Sequence, residues 1–432
     1  MKRLLLPLFV FFMFSSAIWA QTPSAQKSQP LSEASPESVG MSTSRLARID
    51  AMAESAIANG EIPGLIALVA RKGKIVYHKS FGMSDVETGR KFKNDDIFRI
   101  ASQTKAITAT AVMMLWEEGK FQLDDPISKY IPEFKQTGVL KSFRYSDTTF
   151  TTEPVKREIT IRHLLTHTSG IGYGGIDSDE RFKMIFSKAG IIDGFTTKPV
   201  TIKENVKKLA AMPLHFHPGE QYSYSEGLDV LGYFIEIISG MPFDQFLKKR
   251  IFDPLGMKDT YFYLPDDRAA RLIPVQQPVN GKWVKIATNG FFDADYPING
   301  AKTFFAGGAG LSSTAKDYAT FLLMYVNGGE LNGTRFLSRT TIETIMQNQI
   351  SDFWKDQGKD YGLAFAVVNE RGVAEGGLGS IGTFDWGGYF NTQYFADPKE
   401  KIVGILIKQT VGYAGDKTGW QFRQLVFQAV DD

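Results

Sequence analysis

The stretch Ile100-Ala101-Ser102-Gln103-Thr104-Lys105, followed by residues 106–116 without a single charge, decides how this chain is read. A serine three residues before a lysine lies one helical turn away on the same face, within reach of the amine, and so forms a nucleophile with a built-in base. Ser-x-x-Lys also occurs at Ser24 with Lys27 and at Ser313 with Lys316, so context must separate the three. Ser24 lies in a polar Ser/Gln/Pro stretch without apolar periodicity, the pattern of a solvated linker. Ser313 opens an amphipathic helix with Tyr318, Phe321, Leu322 and Tyr325 on its apolar face. Lys316 and Asp317 then fall on the face expected to be wet, where a lysine stays protonated. The helix after Ser102 is apolar almost all round, which predicts burial. Burial makes a lysine give up its proton more readily, as a general base requires.

Working outward, the chain has 432 residues and a formal net charge of +2, which offers nothing to nucleic acid or an acidic membrane surface. Met1-Lys2-Arg3, an apolar run over residues 4–19 and the exit Ala20-Gln21 predict a secretory signal peptide over residues 1–20. The expected mature protein is periplasmic or secreted and bacterial. With no cysteine in the chain, disulfides, thiol chemistry and a lipoprotein attachment site are excluded. Residues 21–40 read as a linker and 41–432 as one domain. A helix capped at Ser42 runs toward Gly60, and residues 65–69 and 75–78 read as an antiparallel hairpin. Residues 361–367, 388–395 and 402–407 read as further strands, with a final helix around 420–430. The expected fold is mixed α/β (α+β): an antiparallel sheet built from both termini, flanked by helices, with a largely helical region inserted.

Other hydrolase designs fit poorly. No serine sits in a Gly-x-Ser-x-Gly elbow. Of the five histidines, His163 and His167 share a helical spacing, but no Glu lies between them in the His-Glu-x-x-His arrangement, so structural roles are expected and no metal or cofactor is implied.

Four segments carry a resemblance: Ser102-Gln103-Thr104-Lys105; residues 159–170, ITIRHLLTHTSG; Pro218-Gly219 through Tyr224-Ser225-Glu226 to Leu231-Gly232; and residues 307–314, GGAGLSST. Together they resemble the serine β-lactamase-related superfamily, whose members include class C β-lactamases, DD-peptidases and family VIII carboxylesterases. The resemblance covers roughly residues 37–430. It implies Ser102 as nucleophile with Lys105 and Tyr224 as its proton-handling partners, Tyr222 being the local competitor for the last role. Which of Lys105 and Tyr224 formally takes the proton stays open, because coupled groups titrate as a unit.

Two departures bear on substrate. Where lactamases and peptidases of this superfamily carry Lys-Thr-Gly, this chain has Trp386-Gly387-Gly388, similar to family VIII carboxylesterases. The missing lysine is the cation that receives a β-lactam or peptide carboxylate. Glycines there allow close approach by substrate, and the next amide, from Tyr389, would join that of Ser102 as an oxyanion hole. Glu226 stands where the family has asparagine; a carboxylate cannot donate that residue's hydrogen bond unless protonated, though it could receive a substrate ammonium. The expected activity is ester hydrolysis through a Ser102 acyl-enzyme, with Glu226, Trp386, Gly387 and Gly388 lining the substrate. The alternative keeps the acyl-enzyme but takes amides or lactams, as in a β-lactamase, DD-peptidase or D-aminopeptidase. The long segments 135–156 and 172–201 are read as lids.

Overall fold

The computed structural model describes residues 22–432 except 289–292, 294, 377–378 and 414. The expected signal peptide, residues 1–20, lies outside the described residues.

The central sheet draws on both ends of the chain. Its strands are β1 (Ser32–Glu33), β2 (Gly64–Arg71), β3 (Lys74–Asp85), β4 (Lys359–Tyr361), β5 (Ala366–Val368), β6 (Phe384–Gly388), β7 (Thr392–Asp397) and β8 (Ile402–Ile407). They lie in the order β4-β5-β6-β7-β8-β2-β3-β1, with Arg90–Lys91 pairing off β3. Every pair along this order is antiparallel except β1 with β3. The N-terminal and C-terminal parts of the chain meet where β2 pairs β8, Leu68 opposite Ile405.

Strand β2 is buried along its whole length because helices cover both faces of the sheet. Leu65, Ala67 and Val69 pack against α1 (Arg48–Ala58) and the C-terminal helix α5 (Thr418–Phe427) through Ile49, Met52, Phe422 and Val426. Ile66, Leu68 and Ala70 join the larger core on the other face, which contains α2 (Thr104–Glu117), α3 (Gly227–Ser239) and α4 (Ala315–Val326). Helix α2 is buried from Thr104 to Leu115, as its uncharged sequence predicts, and ends at Gly119, whose φ of 70° needs no Cβ.

The structure corrects several boundaries. Residues 361–367 are not one strand: β4 and β5 are separate, joined by a turn in which Ala364 has φ 68°. Residues 388–395 are likewise a hairpin, with β6 and β7 reversing at 389–391, where Asn391 adopts φ 59° and donates back to Gly388 O. Apolar runs hid both turns, because their positive-φ residues are not glycines. The stretch read as a linker is laid on the body from residue 22 onward: Thr22–Pro23 pairs Thr334–Arg335, and Ser32–Glu33 forms β1.

Asp317 is a further correction. Lys316 is exposed, but Asp317 is buried, where it accepts from the Asp259 N–H (2.8 Å) and the Thr260 hydroxyl (3.0 Å). Burial outweighs these bonds and pushes its carboxyl up to about 6. A raised carboxyl favours the fold below its unfolded value near 3.8, and that advantage is lost as pH rises through about 6. Asp317→Asn is therefore expected to match the parent protein at pH 4 and exceed it by about 1–3 kcal/mol at pH 8, measured by urea denaturation. Equal stability at both pH values would refute a titration penalty at this residue.

Candidate active site

Ser102 sits at the entry to α2, in a single 3-10 turn spanning Ala101–Gln103. The turn is pinned from several directions. Phe98–Arg99 pairs Ser312–Ser313, Ile100 N–H donates to Leu311 O, the Thr104 hydroxyl accepts from Leu311 N–H, and the Tyr318 hydroxyl donates to Gln103 O. Ala101, fully buried, is held at φ 44°, a left-handed conformation that costs a non-glycine residue free energy and persists only where the surroundings enforce it.

Lys105 follows one turn later and is 1% exposed. Its ammonium donates to Gly308 O (2.7 Å) and to the Tyr173 hydroxyl (3.2 Å). It also lies 4.6 Å from the centre of the Tyr224 ring and 5.0 Å from that of Tyr173. Tyr173 and Tyr224 stack on each other at 5.3 Å. The Tyr224 hydroxyl is buried and makes no hydrogen bond within the described residues. Of the two tyrosines weighed from sequence, Tyr224 covers the lysine, whereas Tyr222 packs against Trp354 and Tyr361. His167, buried and also in a left-handed conformation, accepts from Ser225 N–H at 3.2 Å and braces the segment that carries Tyr224. Burial and the nearby Lys105 ammonium hold this imidazole neutral. His163 instead closes a capping box with Thr160, so the two histidines do different structural work.

Ser102, Tyr222, Tyr224, Trp386, Gly387, Gly388 and Tyr389 line one cavity of about 690 Å³. The end of β6 is pressed against the turn that carries Ser102: a Cβ on Gly388 would lie 2.5 Å from Ile100 O and 2.2 Å from the Thr392 hydroxyl. Gly388 is thus the residue that lets this strand approach. Gly388→Ala is expected to push the strand end outward and lower kcat/KM on para-nitrophenyl butyrate about 10–100-fold, the scale of a displacement near 1 Å at a reacting centre. Unchanged kinetics would show that the approach of β6 does not matter to turnover.

Glu226 departs from expectation. It is fully buried, neither carboxyl oxygen has a hydrogen-bond partner within the described residues, and it is not among those lining the cavity. Burial, reinforced by Asp193 and Asp229, raises its carboxyl well above the usual range. It is therefore no carboxylate presented to a substrate ammonium.

Sequence reasoning missed two neighbours of Lys105. Tyr173 stays a neutral phenol, because burial, with Tyr224 next, raises it well above 10. Asp229 on α3 accepts from Gly308 N–H (3.1 Å), tying down the peptide whose carbonyl receives Lys105; burial lifts its carboxyl to about 6. The Gly172-Tyr173-Gly174-Gly175 run is the only sequence hint of Tyr173. Of the two segments read as lids, 172–201 contributes Tyr173, Ile176, Asp193 and Phe195 to the cavity wall. Segment 135–156 instead contains a two-stranded hairpin, Gly138–Arg144 with Thr149–Pro154, and contributes no lining residue among those described.

With a serine and a buried lysine one helical turn apart under a tyrosine, this is the apparatus of a serine hydrolase, and residues 49–427 match the family model described as β-lactamase: the chain belongs to that family. It is 31% identical over 388 residues to esterase EstB of Burkholderia gladioli, covering 85% of this chain and 91% of that one. It is 28% identical to the lovastatin esterase of Penicillium rubens, over 84% and 92% of the two chains. Among solved structures it resembles EstCE1, described as a hydrolase with promiscuous acyltransferase activity, with TM-score 0.75 and 26% identity over 90% of this chain and 99% of that one.

Proposed function

We propose that the protein hydrolyses carboxylic esters through an acyl-enzyme on Ser102. The observation that carries this reading is the Lys105 Nζ, buried beneath the Tyr224 ring one turn from Ser102, at a cavity whose strand wall is Trp386-Gly387-Gly388 rather than a lysine-bearing one. Ser102 Oγ bonds to the ester carbonyl carbon while its proton passes to the Lys105–Tyr224 pair. Charge developing on the carbonyl oxygen is held by the N–H groups of Ser102 and Tyr389. Collapse breaks the bond to the alcohol oxygen, which takes the proton from the pair. Water then repeats the sequence on the acyl-enzyme, releasing the acid and restoring Ser102. No metal or organic cofactor enters the reaction. EstB and the lovastatin esterase, both named as esterases, support the choice of an ester substrate.

The test is turnover of para-nitrophenyl acetate, butyrate and octanoate beside nitrocefin and a D-alanyl peptide. Ester turnover far above the other two is expected. Faster nitrocefin hydrolysis would transfer the assignment to lactams and remove the significance given to Trp386-Gly387-Gly388. The secretory signal over residues 1–20, with a periplasmic or secreted destination, is a second part of the proposal. It rests on the sequence pattern, and N-terminal sequencing of the protein recovered outside the cytoplasm, with Gln21 expected first, tests it.

A further inference from the structure

Two glycines that open the segment over residues 307–314 take no part in the chemistry above, yet they touch both helices that carry it. The Gly307 carbonyl accepts from the Thr108 hydroxyl at 2.7 Å, and a Cβ on Gly307 would strike Leu228 O. The Gly308 carbonyl accepts from Lys105 Nζ at 2.7 Å, while its N–H donates to Asp229 Oδ1 at 3.1 Å. Lys105 and Thr108 belong to α2, and Leu228 and Asp229 to the first turn of α3. The two glycines therefore bridge α2 and α3 at the turn next to Ser102.

Gly308 is the more closely confined of the pair. A Cβ there would lie 2.5 Å from Asp229 Oδ2, 3.3 Å from the Asp229 carboxyl carbon and 3.4 Å from Lys105 Nζ. Its backbone is not left-handed, so the missing side chain makes room for the carboxyl and the amine rather than permitting a turn. Asp229 is buried, and burial pushes its carboxyl up while Lys105 draws it back, so the two groups act on each other across Gly308.

A proton acceptor works only when it is held within hydrogen-bond reach of the group it serves. Lys105 Nζ has two hydrogen-bond partners among the described residues: the Tyr173 hydroxyl, at the tip of a side chain, and the Gly308 carbonyl, part of a backbone that Asp229 ties to α3. We propose that Asp229 is a positioning residue for the proton transfer: by holding Gly308 against α3 it fixes the carbonyl that keeps Lys105 Nζ beneath the Tyr224 ring, one turn from Ser102. The proposal rests on the ester reading above and adds a residue to its mechanism. Asp229 is not among the residues lining the cavity, so it acts through Lys105 and not on the substrate.

The experiment compares two esters within each variant, so that differences in folded fraction cancel. The para-nitrophenolate of para-nitrophenyl butyrate departs without a proton, whereas the ethoxide of ethyl butyrate must take one from the Lys105–Tyr224 pair. A displaced Lys105 therefore costs the ethyl ester more. Asp229→Ala and Gly308→Ala are each expected to lower kcat/KM on ethyl butyrate, followed by pH-stat, about 10–100-fold, and to raise the preference for the para-nitrophenyl ester about tenfold. In the double variant that preference should be no greater than in Asp229→Ala alone, because removing the carboxyl vacates the space that the methyl group of Gly308→Ala would enter. A merely structural carboxyl would leave the preference unchanged in Asp229→Ala, and that result would overturn the proposal. So would effects of the two substitutions that multiply, since residues acting through one contact cannot be independent. If the parent protein turns over neither ester, the ester reading itself has failed.

Discussion

Ser102→Ala is expected to lower kcat/KM on para-nitrophenyl butyrate by about a thousandfold or more while leaving the fold intact. The size follows from what is removed: without the oxygen no acyl-enzyme forms, and the remaining oxyanion donors and binding contacts act only on direct attack by water. The substitution is structurally mild, since the serine lies in a turn held by backbone and neighbouring side-chain contacts at Ile100, Gln103 and Thr104. A fluorophosphonate should label the parent protein once, on the peptide containing Ser102, and leave the variant unlabelled. Equal turnover in both proteins would mean that another residue is the nucleophile, and the proposed mechanism would fall with it.

Lys105→Met is expected to cost about 10²–10⁴-fold in kcat, the usual weight of a positioned proton acceptor. Methionine keeps a long apolar stem in a 1%-exposed position, so packing with α3 and α4 is largely preserved. What disappears is the amine nitrogen between Gly308 O and the two tyrosines. Losing a hydrogen bond to the Gly308 carbonyl costs about 1–3 kcal/mol of stability, well below the kinetic effect sought. The fluorophosphonate should still react with Ser102 but far more slowly, because the oxygen is present and its deprotonation is not assisted. Labelling at the parent rate would show that the lysine is structural only. Tyr224→Phe separates the two partners: a loss as large as that of Lys105→Met is expected if they handle the proton as a unit.

Much of this was legible in the chain itself. The uncharged run after Lys105 predicts a buried helix, and α2 is buried from its first residue. Alternating faces of apolar residues at 65–70 require a sheet covered on both sides, which is the observed position of β2. Ser102, Tyr224, Trp386, Gly387, Gly388 and Tyr389 are far apart in sequence yet line one cavity. Such motifs are legible because each depends on local geometry: a helical turn, or a strand free of side chains.

The parts that escaped are those in which a residue's environment, not its neighbours in sequence, sets its state. Nothing around Glu226 announces that its carboxyl is fully enclosed, and a residue read as a charge in the cleft is a buried group that does not line it. The helical pattern puts Asp317 on a wet face, but the Asp259 and Thr260 donors that cover it arrive from a segment more than fifty positions away. Tyr173 and Asp229 share that character, since each meets its partner only where separate segments converge. The fold class and the Ser102–Lys105 pairing are written in the chain, because periodicity and short-range spacing encode them, whereas the departure at Trp386-Gly387-Gly388 is legible through the resemblance to the superfamily. Which tyrosine covers Lys105 and which carboxyls are enclosed follow only from the packed chain, because burial is a property of segments brought together from far apart in sequence.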